Sequence, residues 1–307
     1  MSVGLSERPV GTGASPARRG TGQGRIAAVL LAPAMLLITL FVILPGLLAF
    51  TAGLFRVDLT NGVRWTWSGV ENFAAVLADP AVRQALVNTL VYCALTIVPS
   101  LVIGLGLALL ANSFTRGRKV LQTLLFLPFT ANLVAMAVVF RYIFDLRGGF
   151  ANQALAVAGI GPVNFLGDTR YALPTVAAVG VWRGAALAMI MFLAGLTSVP
   201  TAVHEACAAD GITRFTKLRL VILPLLRPTT VFVTVLTAIQ AVQVFDTINV
   251  MTQGGPLGAT ETALTMTWRL GFAYYDLGQG AALSTLLLVV LVGAGVLRRG
   301  ALTGGVR

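Results

Sequence analysis

The stretch EACAADGITRFTKLRLVILP, Glu205 to Pro224, interrupts an oily chain with acids, bases and a glycine, then returns to an apolar run that closes on a proline. It is preceded by LTSVPTAVH, in which Ser198 is placed to cap freed backbone N–H groups and Pro200 to open the first helical turn; Gly211 suits the left-handed position just past the end. The spacing predicts a short helix with a stop at each end. Beyond Gly211, the residues Ile212, Phe215, Leu218 and Val221 or Ile222 recur near one face of a second helix. With Glu205 beside the small residues Ala206, Cys207, Ala208 and Ala209, the knob fits two roles. It could enter a cleft on a partner, or lie at the headgroups as a solvated connection.

The surrounding chain decides what this segment connects. Of 307 residues, 57% are hydrophobic and 11% charged, against roughly 25% charged in a soluble domain. The apolar residues gather in blocks long enough to cross a bilayer, which takes about 20 residues each. They run from Ile26 to Phe55, Gln84 to Ser113, Val120 to Phe144, Tyr171 to Leu196, Leu225 to Met251 and Leu277 to Leu297. The expected fold is therefore an all-α membrane protein, a bundle of six transmembrane helices. Segments 151 to 166 and 262 to 275 are too short or interrupted to cross and read as interfacial or packed short helices. Residues 1–25 lack the large apolar side chains needed to offset folding entropy and read as a disordered tail. The six-span body covers 26–297, with the polar connection at about 198–224, and 298–307 form a second tail.

Orientation follows from the bases near the span ends. One side collects Arg8, Arg18, Arg19, Arg25, Arg116, Arg118, Lys119, Arg214, Lys217, Arg219, Arg227, Arg298, Arg299 and Arg307; the other collects Arg56, Arg64, Arg83, Arg141, Arg147, Arg170 and Arg269. With the first side cytoplasmic, both termini and the opening stretch lie in the cytoplasm, and the stretch joins the fourth and fifth spans. The net charge of +11 is spread over these connections with no basic cluster interleaved by aromatics, which argues against nucleic acid. Cys93 and Cys207 show neither disulfide nor zinc spacing and read as small packing residues. The sole histidine, His204, has no serine or second ligand to work with, so neither an intramembrane hydrolase nor a metal site is expected. An ion-coupled secondary transporter is the alternative; it would carry repeated halves with carboxylates in interrupted spans, whereas Asp246 is the lone carboxylate well inside a span.

EACAADG followed by VILP resembles the EAA motif of ABC importer permeases, E-A-A, three residues, G, nine residues, I-x-L-P. Glu205, Ala206, Gly211, Leu223 and Pro224 match it, while Cys207 replaces an alanine and Val221 an isoleucine; Asp210 completes the DG pair of sugar importers. LAPAMLLITLFVILPGLLAF, GVENFAAVLADPAVRQALVNTLVY, VWRGAALAMIMFLAGLTSVP and VFDTINVMTQGGPLGATET extend the likeness to the carbohydrate importer permeases of the maltose and glycerol-phosphate type over about residues 27 to 297. The GGP at Gly254 to Pro256, with Thr260 and Glu261, points to the first of the two permeases usually paired in such systems.

The resemblance implies a type I ABC importer permease in the bacterial cytoplasmic membrane. It would form half of a pore with a second homologous permease as a heterodimer. Its EAA segment would be a coupling helix docked on a cytosolic ABC ATPase dimer, and an extracytoplasmic solute-binding protein or lipoprotein would deliver a sugar or sugar-like solute. Glu205 would be the charged anchor, Ala206 and Cys207 the close-packed face and Gly211 the turn. No cofactor is expected in this chain: ATP and Mg would sit on the ATPase, in keeping with the absence here of GxxxxGK[ST]. The solute path should be lined by polar residues placed in apolar spans. Thr237, Gln240, Gln243, Asp246 and Asn249 recur every three residues in the fifth span, with Asn132 in the third and Trp182 and Arg183 in the fourth. Each could instead bond a neighbouring helix, and Arg183 could pair an anionic solute or sit at the rim. Ala241 and Val244 are apolar where maltose permeases use polar side chains.

Overall fold

The computed structural model describes residues 21–58, 64–114 and 116–303. The chain divides into two units, Met1–Leu48 and Ala49–Arg307. The first is helical: α1 (Thr21–Ile38) passes through a π-helical turn at Thr39–Ile43 into the start of α2 (Leu44–Gly53), whose residues from Ala49 on are counted with the second unit. Pro33 and Pro45 lie within this helical stretch without ending it, as helices in lipid allow. Its large side chains, among them Val29, Leu31 and Phe41, are exposed, which is what lipid-solvated residues require.

The second unit is a helical bundle with one small hairpin, β1 (Phe55–Asp58) paired antiparallel with β2 (Arg64–Trp67). Short α3 (Glu71–Ala78) leads into α4 (Pro80–Ser113), started by Asp79, whose carboxylate accepts from the Ala81 N–H at 2.7 Å. Then come α5 (Arg118–Thr130), α6 (Leu133–Ile143), α7 (Phe150–Val157), α8 (Ala172–Thr197), α9 (Thr201–Ala209), α10 (Arg214–Lys217) and α11 (Leu223–Leu225). The chain ends with α12 (Arg227–Val242), α13 (Asp246–Met251), α14 (Ala263–Trp268) and α15 (Leu277–Thr303).

Among the described residues four helical stretches are long and apolar enough to cross a bilayer: Ala27–Gly53, Pro80–Ser113, Ala172–Thr197 and Arg227–Met251. The expected third span is not one straight helix, because α5 and α6 meet at 92°. Pro128 weakens the end of α5, and Asn132 then adopts an extended backbone and caps α6, its Oδ1 accepting from the Ala135 N–H at 3.1 Å. The pair makes a fifth span if counted as one, and Leu277–Gly293 is a shorter apolar helix. The expected fifth span is also interrupted: after Val242 the backbone leaves helical geometry and reaches φ −135°, ψ −63° at Phe245 before α13 begins. The two segments read as short helices, 151–166 and 262–275, carry α7 and α14. Of the two expected tails, residues 1–20 and 304–307 lie outside the described residues, whereas 21–25 and 298–303 are helical, at the start of α1 and the end of α15.

The centre of the bundle is the pairing of α4 with α8. Hydrophobicity does little to hold helices together in lipid, so close packing must do it. Small residues permit that packing: a Cβ on Gly184 would lie 2.6 Å from Ser100 Oγ, and one on Gly104 would lie 2.5 Å from Ala188 Cβ. Phe192, Met189, Leu196, Ile222, Leu226 and Val233 form a core where α8, the π-turn before α11, and α12 converge. That core ties the polar connection to the spans on either side of it.

Candidate functional site

Where α4, the α5–α6 bend, α8 and the α12–α13 break converge, they enclose a cavity of about 240 Å³. Trp182, Arg183, Thr237, Gln240, Gln243 and Asp246, all expected along the solute path, line it. Asn132 and Asn249 are not among the lining residues: Asn132 is spent as the cap of α6, though Ala131 and Leu133 beside it do reach the cavity. The stride of three read along the fifth span is interrupted at Gln243 to Phe245, and Asn249, on α13 beyond it, is not on the cavity wall.

Both irregular stretches open on this space, through Ala131 on one side and Gln243, Val244 and Phe245 on the other. Within an apolar bundle, unwound backbone is tolerated only where it is buried in protein or lines a hydrated cavity. The lining chemistry agrees. Arg183 stacks its guanidinium over Phe129 at 5.2 Å from the ring centroid, and its buried Nε has no hydrogen-bond partner. Asp246 shares the cavity, yet the ion pairs among the described residues are elsewhere, at Arg56–Glu71 and Arg269–Glu261. Thr237 donates its hydroxyl to Val233 O at 2.7 Å, so it offers a ligand only lone pairs. Trp182, edge-on to Phe140 at 5.1 Å between centroids, is 38% exposed and supplies a flat apolar surface.

Sequence reasoning missed the wall made by α4. Tyr92, Thr96 and Ser100 also line the cavity, and each is buried in the bundle. Thr96 is self-satisfied through Tyr92 O at 2.7 Å, whereas the Tyr92 and Ser100 hydroxyls have no partner among the described residues. Their stride of four, matched by Gly180, Gly184 and Ala188 in α8, was the available signal.

The polar connection is a second feature. α9 ends in a Schellman arrangement: Ile212 N–H donates to Cys207 O at 3.1 Å, Gly211 N–H donates to Ala208 O at 3.2 Å, and Gly211 has φ +66°. Ser198 does not cap α9 as expected; its hydroxyl donates back to Gly195 O at 2.8 Å and closes α8. Pro200 stands at the N-cap. Glu205, Ala206 and Asp210 are exposed, whereas Cys207 is buried within the chain, as is Ile222. Phe215, expected on the apolar face, is 71% exposed. Leu223 and Pro224 form the short α11.

The GGP stretch with Thr260 and Glu261 is a folded plug. Asn88 donates to Gly258 O and Glu261 O at 2.9 and 2.8 Å, Ala263 N–H donates to Thr89 Oγ1 at 2.8 Å, and Glu261 meets Arg269 at 2.7 Å. Gly254, at φ +81°, leaves no room for a Cβ beside Glu261.

Residues 100–298 match the family model for the binding-protein-dependent transport system inner membrane component. The chain is 30% identical over 285 residues to the sn-glycerol-3-phosphate transport system permease protein UgpA of Yersinia pestis, covering 92% of this chain and 96% of that one. It is 29% identical to the trehalose/maltose transport system permease protein MalF of Thermococcus litoralis, covering 88% and 91%. A chain of a bacterial alginate ABC transporter, solved with an alginate pentasaccharide-bound periplasmic protein, shares the fold at TM-score 0.77 and 22% identity, over 92% of this chain and 96% of that one. This chain is thus a transport permease and belongs to the family of inner membrane components of binding-protein-dependent transport systems.

Proposed function

We propose that this chain lines one half of the translocation path of an ATP-driven importer for a sugar or sugar-like solute, with the cavity beside Arg183 as a station on that path. The observation that carries this reading is the meeting of one bent span, a local helix interruption at Gln243 to Phe245 and several polar side chains at one cavity inside an apolar bundle. A hydroxyl-rich solute would find donors at Arg183 and the glutamines, an acceptor at Asp246 and a platform at Trp182. The relatives whose names include trehalose, maltose and glycerol-3-phosphate support a small polyol or its phosphate.

In this reading the bent α5–α6 pair is the third span and α15 the sixth, and both termini are cytoplasmic. α9 is then the coupling helix. Glu205 and Ala206 present a charged anchor and a close-approach surface to a cytosolic ATPase, which alone binds ATP and Mg. Cys207 holds the helix to its own chain. A second, different permease completes the pore, and an extracytoplasmic solute-binding protein delivers the ligand. The Schellman stop and the Ile222–Leu226 core make α9 a stiff lever: movement of the docked knob reaches α8 and α12, which carry the cavity.

The test is uptake in proteoliposomes containing the whole transporter. Glu205→Ala is expected to lower ATP-dependent uptake by about tenfold, the equivalent of some 1.4 kcal/mol of docking energy, while the thermal midpoint of the purified chain stays put. Undiminished uptake and ATPase stimulation in that variant would overturn the assignment of α9.

A further inference from the structure

The hairpin following α2 is amphipathic in its pairing. Phe55 lies opposite Trp67 and Val57 opposite Trp65, so these four share one face; Arg56 opposite Thr66, and Arg64, occupy the other. Val57 is buried, but Trp65 is 52% and Trp67 68% exposed. The two indoles pack edge-on to Phe55, at 6.1 and 5.2 Å between centroids, and neither ring N–H has a protein partner among the described residues.

We infer that this face lies in the headgroup layer of the bilayer and fixes the depth of the span that precedes it. Only Leu54 separates α2 from β1, so the hairpin begins within roughly 7 Å of the helix end. It is also pinned there: Asn72 Nδ2 donates to Gly53 O and Phe55 O, both at 2.9 Å, and Ser68 Oγ donates to Leu54 O at 3.1 Å. At the end of α2 the exposed Phe50 therefore leads into the aromatic face. The start of α15 adjoins the hairpin, since a Cβ on Gly278 would lie 2.5 Å from Phe55 O. Just before it Phe272, Tyr274 and Tyr275 are each more than 60% exposed. Aromatic rings with an apolar body and a polar handle, gathered at the ends of apolar helices, suit the layer where ester carbonyls and phosphates meet acyl chains. The exposed guanidinium groups of Arg56 and Arg64 lie on the opposite face, toward water and phosphate.

The full chain, reconstituted in phosphatidylcholine vesicles with bromine near either the glycerol or the methyl end of the acyl chains, tests this. In a variant with Trp182 and Trp268 changed to Phe, leaving Trp65 and Trp67 of the four tryptophans, shallow bromine is expected to quench about half of the emission and deep bromine much less. If that variant does not fold, the native chain and its Trp65→Phe/Trp67→Phe form are compared, and the share quenched by shallow bromine must fall on substitution. Absence of quenching, an unchanged share, or loss of quenching when the binding protein or second permease is added would overturn the proposal, the last by giving the face to a protein.

Discussion

Two pairs of opposite charges stand in very different settings. Glu261 and Arg269 have closed to 2.7 Å, with the Glu261 side chain 5% exposed and the plug around it hydrogen-bonded to α4. Arg183 and Asp246 share a cavity but are not paired, and one guanidinium nitrogen is buried without a partner. The closed pair belongs to a hydrogen-bonded plug and the open pair faces a cavity; we propose that the first serves structure and the second a solute. The plug is closed around a buried ion pair; the charges of the cavity stay unpaired, and on the proposed reading it is a passing solute that they meet.

The most damaging way to break this contrast is at the plug. Arg269→Ala leaves a buried carboxylate without its cation and is expected to cost about 3 kcal/mol, read as a lower thermal midpoint of the purified protein, with Arg269→Lys recovering part of it. A melting curve that does not change would mean that the closed pair is not structural. A smaller effect is expected at the α4 wall. Tyr92→Phe removes one hydroxyl from the cavity and should lower uptake by about threefold, near 0.7 kcal/mol, with no loss of stability, because that hydroxyl makes no hydrogen bond among the described residues. If Tyr92→Phe melts earlier instead, the hydroxyl serves packing and the wall of α4 is not part of the path.

Much of this was legible from residues alone. The apolar blocks, the stop at Gly211 and six polar or aromatic residues that line the cavity were marked by composition, glycine chemistry and the cost of polar groups in lipid. The breaks were harder. FLPFTAN carries a proline followed by an N-capping asparagine, the signature of a helix that ends and restarts, but hydropathy averages over it. The interruption at Gln243 to Phe245 has no proline or glycine to announce it. The α4 wall was hidden because Tyr, Thr and Ser read as ordinary bundle residues until α8 is seen to lie against them. Cys207, read as part of the outward face, is turned inward by the phase of a nine-residue helix whose start was not fixed by Ser198.

The most direct measurement is ATP-dependent uptake by the complete transporter carrying Arg183→Gln or Asp246→Asn, alongside thermal unfolding of the same preparations. Each variant is expected to lose uptake by about tenfold or more, the scale of one charge-assisted hydrogen bond to the solute, while melting and assembly with the ATPase stay as in the parent. Full uptake in both variants, or solute movement driven by an ion gradient through this chain without the ATPase, would contradict the account.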